Sequence, residues 1–117
     1  MSKKESNKLI DTIVDAIDDV KGEDITLLDL TEIDNSVAQY FIICSAKTNT
    51  QVNAISSNIE KKVRNQIQER PIHVEGKENA QWVLIDYGNV VVHIFQPIYR
   101  EYYDIESMWG DAKLVTY

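Results

Sequence analysis

A chain of 117 residues with 44% hydrophobic and 26% charged residues has the size of one domain and the composition of an ordinary globule, which excludes wholesale disorder. No apolar run approaches the roughly 18 residues that cross a bilayer, and the opening Met1 to Ser6 is charged, unlike a signal-peptide core, so a cytoplasmic protein with no membrane partner is expected. The net charge of −7 is unevenly spread: residues 1–40 hold ten acids against four bases, residues 81–117 five against two, and the middle segment four against six. Acidic ends repel phosphate backbones and disfavour direct nucleic-acid contact, while they attract a basic protein.

In chain order, Leu9, Ile10, Ile13, Val14, Ile17 and Val20 recur at helical spacing with Asp11, Asp15, Asp18 and Asp19 between them. The spacing predicts an amphipathic helix with an acidic wet face, ended by Gly22. Asp24 to Leu30 reads as a strand and Thr31 to Ser36 as a loop; Val37 to Ser45 holds an apolar, aromatic and β-branched run typical of a buried strand. The lone Cys44 falls in that run, where a small buried side chain is the natural reading. Asn49 or Thr50 is expected to cap a long helix whose apolar positions are Val52, Ile55, Ile59, Val63 and Ile67, with Pro71 ending it.

Ile72 to Glu75 and Trp82 to Tyr87 follow as strands around a turn at Gly76. Gly88-Asn89 signals a two-residue hairpin into a strand over Val90 to Phe95. Pro97 breaks that strand, Tyr99 to Trp109 reads as a last short helix stopped by Gly110, and the chain trails off as a tail over 113–117. The order is helix, strand, strand, helix, three strands, helix. A mixed sheet of about five strands packed by helices is the economical solution, an α/β (α+β) domain over 1–117 with its core at about 9–112.

Catalytic chemistry finds little support. His73 and His93 lie in different strands without metal-ligand spacing, and Cys44 has no partner thiol. The four glycines are isolated, so no phosphate loop and no cofactor site is expected. Asp104 and Glu106 fall in a predicted helix, where residues two apart point to different sides, and with Asp18 and Asp19 they read as surface charge. What survives is a set of aromatics (Tyr40-Phe41, Trp82 with Tyr87, and Tyr99, Tyr102, Tyr103, Trp109) of the kind that dominates interface hot spots.

The stretch Trp82-Val83-Leu84-Ile85-Asp86-Tyr87-Gly88-Asn89-Val90-Val91-Val92-His93-Ile94-Phe95, followed by Arg100-Glu101-Tyr102-Tyr103-Asp104-Ile105-Glu106-Ser107-Met108-Trp109-Gly110-Asp111-Ala112, closely resembles the signature of the ribosomal silencing factor family (RsfS, or Iojap-like). Val74-Glu75-Gly76 and Tyr40-Phe41-Ile42-Ile43-Cys44 support it, and the match runs from about Leu9 to Ala112. The resemblance implies a fold related to the nucleotidyltransferase superfamily without its activity. It also implies docking onto large ribosomal subunit protein fourteen at the intersubunit face, which blocks subunit joining and represses translation, notably when nutrients are scarce. Two positions depart from the family pattern. Asn89 replaces a common Asp, which is neutral for a turn, and Gln39 replaces an Asp before Tyr-Phe, which removes any role for that acid here.

Two readings rival this one: a direct RNA-binding module, which the acidic ends argue against, and an active nucleotidyltransferase. The latter needs a Gly-Ser pair and strand-borne carboxylates for divalent metal; the segment at Ser45 lacks the glycine and no D-x-D or D-x-E falls on a predicted strand. The predicted hairpin register sorts its side chains into two sets. Val83, Ile85, Tyr87, Val90, Val92 and Ile94 share one face and form core. Trp82, Leu84, Asp86, Val91, His93 and Phe95 share the other, whose mix of aromatics, an acid and an imidazole suits the centre of a partner-binding interface. An exposed strand edge or apolar hairpin face would also let the free protein form a homodimer.

Overall fold

The computed structural model describes residues 3–34 and 36–117, with the side chains of 3–6 left aside. Its elements are α1 (Lys3–Asp19), β1 (Glu23–Asp29), β2 (Tyr40–Ser45), α2 (Asn49–Ile67), β3 (His73–Glu75), β4 (Trp82–Asp86), β5 (Val90–Phe95), α3 (Pro97–Tyr103), α4 (Ile105–Met108) and β6 (Lys113–Thr116). The strands form one mixed sheet in the order β3-β4-β5-β2-β1-β6. All neighbours are antiparallel except the central pair β2 and β5, which run parallel. Parallel neighbours need a long crossover, and α2 lies in the connection between them.

The helices follow the sequence pattern closely. Leu9, Ile10, Ile13 and Ile17 of α1 and Val52, Ile55, Ile59 and Val63 of α2 are all buried against the same face of the sheet. There they meet Ile25, Leu27, Ile42, Val83, Ile85, Val92 and Ile94, the set that strand alternation turns toward them. Asn58 donates to the Ala16 carbonyl at 2.8 Å and Lys62 to Asp19 at 2.7 Å, fixing the two helices side by side. Cys44 is buried in this layer as expected; burial pushes its thiol up to about 12, so it stays protonated and packs as a small hydrophobe.

The cap of α2 is Thr48 and not Asn49 or Thr50, with its hydroxyl accepting from the Gln51 amide at 3.1 Å. The helix also stops before Pro71, because Gln68 adopts the left-handed conformation (φ 63°, ψ 34°) and its N–H returns to Arg64 and Val63.

Two expectations at the carboxy-terminal end are corrected. The predicted single helix over Tyr99 to Trp109 is two, broken at Asp104, whose left-handed backbone (φ 44°, ψ 51°) costs on the order of 1 kcal/mol. The predicted tail is not free: β6 pairs antiparallel with β1, Thr26 with Thr116 and Asp29 with Lys113, making the sheet six strands and not five.

Candidate functional site

The site begins at the β4–β5 hairpin. Gly88 takes φ 92°, which a side chain would oppose, and its amide donates to Asp86 Oδ1 at 2.7 Å, closing the turn. The resulting register is the predicted one: Trp82 opposite Phe95, Val83 opposite Ile94, Leu84 opposite His93 and Ile85 opposite Val92. Gly76 tightens the other end, where a Cβ would lie 2.0 Å from the Trp82 carbonyl oxygen, so the strand can start only because that residue is glycine.

Alternation then turns Trp82, Leu84, Asp86, Val91, His93 and Phe95 to the face opposite α1 and α2. Trp82, Leu84 and Asp86 stay half-buried, whereas Val91, His93 and Phe95 are buried. Five of the six line a groove of about 370 Å³; Phe95 is instead beneath it, fully buried and stacked under Trp82 at 4.9 Å. The other wall comes from elements outside the hairpin and is not in its sequence pattern. The parallel register sets Phe41 of β2 beside Val91, with its ring edge-on to His93 at 4.7 Å. Ile105, Met108 and Trp109 close the groove from α4 and its end, Trp109 meeting Phe41 edge-on at 6.0 Å. Val37 and Met108 stand at the rim, 78% and 71% exposed. Trp109 and Phe41 were visible as aromatics; only the break at Asp104 brings Trp109 to this face.

His93 is the chemically distinctive group. Its Nδ1 accepts from Trp82 Nε1–H at 3.1 Å. Because the indole can only donate, that bond requires an unprotonated Nδ1 and puts the proton on Nε2. Nε2 is buried without a hydrogen-bond partner, and burial pushes the imidazole pKa down to about 4. His93 is therefore a neutral ring in an apolar floor at pH 7. Asp86 is the one acid on the groove, with Oδ1 held by the turn.

A hollow of about 400 Å³ over Val74, Gly76 and Asn79 is slightly larger, but exposed loop residues line most of it and no buried polar group faces it. Glu106, expected as surface charge, is instead paired with Arg100 at 3.0 Å. Asp104, its neighbour two residues back, lies at the helix break. Asp18 is exposed as expected, and the Lys62 ammonium beside Asp19 holds that carboxyl below its usual range. Among the described residues, no three His, Cys, Asp or Glu side chains are placed to hold a metal ion, and no helix is long and apolar enough to cross a membrane.

Residues 3–117 match the family described as ribosomal silencing factor during starvation. The chain is 44% identical over 102 residues to a ribosomal silencing factor RsfS of Bacillus subtilis, covering 85% of this chain and 82% of that one. It is 40% identical over 113 residues to the protein of the same name from Halalkalibacterium halodurans, covering 94% and 92%. A crystal structure of a Chromobacterium violaceum protein superposes with a TM-score of 0.83 at 36% identity, covering 89% of this chain and 85% of that one.

Proposed function

The chain belongs to the ribosomal silencing factor family, and on that premise we propose that it is a non-catalytic repressor that seats its aromatic groove on large ribosomal subunit protein fourteen. Bound at the intersubunit face, it excludes the small subunit and lowers translation, notably under nutrient limitation, and it works in the cytoplasm, where those subunits are. The observation that carries this reading is the groove itself. Half-exposed Trp82 and Leu84 and rim residues Val37 and Met108 surround an apolar floor, the arrangement of an interface centre.

Electrostatics agrees. Neutral His93 adds no charge to be stripped of water when the groove closes on a partner. Asp86 has one oxygen in the turn and a second to offer a basic partner side chain at the rim. A net charge of −7 steers the protein toward a basic ribosomal protein and away from the surrounding RNA. Partner-binding is assigned to Trp82, Leu84, Asp86, Val91 and His93, with Phe95 supporting Trp82 from below. The mixed sheet serves as a nucleotidyltransferase-related scaffold put to binding and not to catalysis, and its exposed apolar surface would support a homodimer when no ribosome is present.

Order of addition tests the mechanism. The protein should sediment with isolated large subunits and not with small ones, without added nucleotide. Added before the subunits are mixed it should reduce joined ribosomes, and added afterwards it should change little. Stable binding to joined ribosomes without splitting them would sink steric exclusion.

A further inference from the structure

Arg100 has no part in the groove surface, yet its guanidinium makes five hydrogen bonds on this side of the sheet. Its Nη1 donates to the Asp24 carbonyl at 2.8 Å and to Ser45 Oγ at 2.9 Å, and Nη2 to Thr26 Oγ1 at 3.3 Å. Nε and Nη2 together grip Glu106, at 3.0 and 3.3 Å to its two oxygens. The side chain is 14% exposed, which raises the strength of a forked, charge-assisted contact over that of a surface pair.

Residues six apart on a continuous helix lie on different sides of it, since only three- and four-residue spacings make neighbours. Arg100 and Glu106 meet because the chain reverses through the left-handed Asp104, whose amide closes on the Arg100 carbonyl at 2.9 Å. Glu106 therefore fixes the direction in which α4 leaves the break. On that same four-residue helix and its end sit Ile105, Met108 and Trp109, the far wall of the groove. Of these Ile105 is buried, Trp109 is half-buried with its ring edge-on to Phe41, and Met108 is exposed, so packing holds the wall only in part.

We propose that Arg100 and Glu106 form a latch that sets the position of the groove wall, making them positioning residues for partner docking although neither lines the groove. The inference rests on the groove being the docking surface. The guanidinium ties the wall to the ends of β1 and β2, so the width of the groove is referenced to the sheet. A wall that is already placed spares the partner the ordering of Met108 and Trp109 on binding.

The test is a double-mutant cycle read by affinity for isolated large ribosomal subunits, with thermal stability measured alongside. Glu106→Ala should weaken binding about tenfold at temperatures where it is fully folded, and Glu106→Gln, which keeps one acceptor oxygen, should recover most of the loss. Combining Glu106→Ala with Trp109→Ala should cost little beyond Trp109→Ala alone, because the latch acts through that wall. In the free protein, amide exchange over 105–112 should quicken in Glu106→Ala while that of β4 and β5 holds. Additive losses, unchanged exchange, or normal binding by Glu106→Ala beside a weakened Trp109→Ala would overturn the latch and leave the groove standing. Normal binding by both Trp82→Ala and Trp109→Ala would remove the docking reading and the latch with it. If Glu106→Ala does not fold, Arg100→Lys takes its place in the cycle, since an ammonium keeps the charge but cannot hold the forked geometry.

Discussion

On one face of the sheet, helices of 17 and 19 residues cover β-strand side chains that are almost all fully buried. On the other, helices of seven and four residues cover only part of it, and β4 alternates between buried and half-buried residues because its outward side chains border an open groove. The same strands, β1, β2, β4 and β5, supply both layers. Which layer becomes core is decided by the elements that close over it, not by the hydrophobicity of the strands themselves. A face left half closed, with Trp82 and Leu84 at its edge, keeps apolar surface open to solvent, and the proposed docking would cover it.

The contrast can be broken most forcefully at Ile85, which is fully buried under α2. Ile85→Ala should lower stability by about 2–5 kcal/mol while the folded fraction still binds large subunits normally, as chemical denaturation and sedimentation would show. Trp82→Ala on the open face should do the reverse, losing on the order of 2 kcal/mol or more in binding and less in folding than Ile85→Ala. Unfolding by Trp82→Ala together with unimpaired binding by Asp86→Lys would mean that both faces are core.

Acid should find His93 next. Its folded pKa, about 4, lies below the ordinary histidine value, so the unfolded chain binds a proton that the folded one refuses. Stability from the neutral ring is complete above about pH 6.5 and falls as pH drops toward 4, by roughly 1–3 kcal/mol. Protonation also places a hydrogen on Nδ1 and ends the bond from Trp82. His93→Gln should remove this part of the pH dependence in denaturation curves measured between pH 7 and 4.

Asp86→Lys should weaken docking and, by removing the acceptor for Gly88, also cost about 1 kcal/mol of stability. Asp86→Asn keeps the turn acceptor and so separates the two effects. Smallest of all should be the change on neutralising Lys61, Lys62 and Arg64, which lie on α2, the helix of the closed face. Affinity and its salt dependence should hold nearly constant; a loss exceeding that from removing acids would refute electrostatic steering by the acidic ends.

Legibility in the sequence followed the range of the forces. The α2 stripe and the hairpin register were readable because each is set within a few residues, by helical spacing in one case and by Gly88-Asn89 with strand alternation in the other. β6 was not, because Leu114, Val115 and Tyr117 are exposed and the strand exists only through pairing with β1. The helix break was hidden for a related reason: Asp104 is left-handed, and Arg100 satisfies its guanidinium on Asp24, Thr26 and Ser45, far upstream. Half of the groove was therefore legible. The hairpin residues share a local pattern, while Phe41, Ile105 and Trp109 converge on them from separate elements.

The late strand has a consequence for how the molecule assembles. Leu27 pairs with Val115 and Tyr117 donates its amide to the Ile25 carbonyl, so β6 closes a loop that embraces nearly every other element. Closure entropy for such a span is offset only by a few backbone bonds and exposed side chains, and it cannot be recovered until the sheet it joins is in place. β6 should therefore be the last strand to dock in folding and the first to fray in the native state, and amide exchange over 113–116 faster than that of β2 and β5 would show it. Its departure would bare the hydrogen-bonding edge of β1 while the hairpin beneath the groove stayed intact.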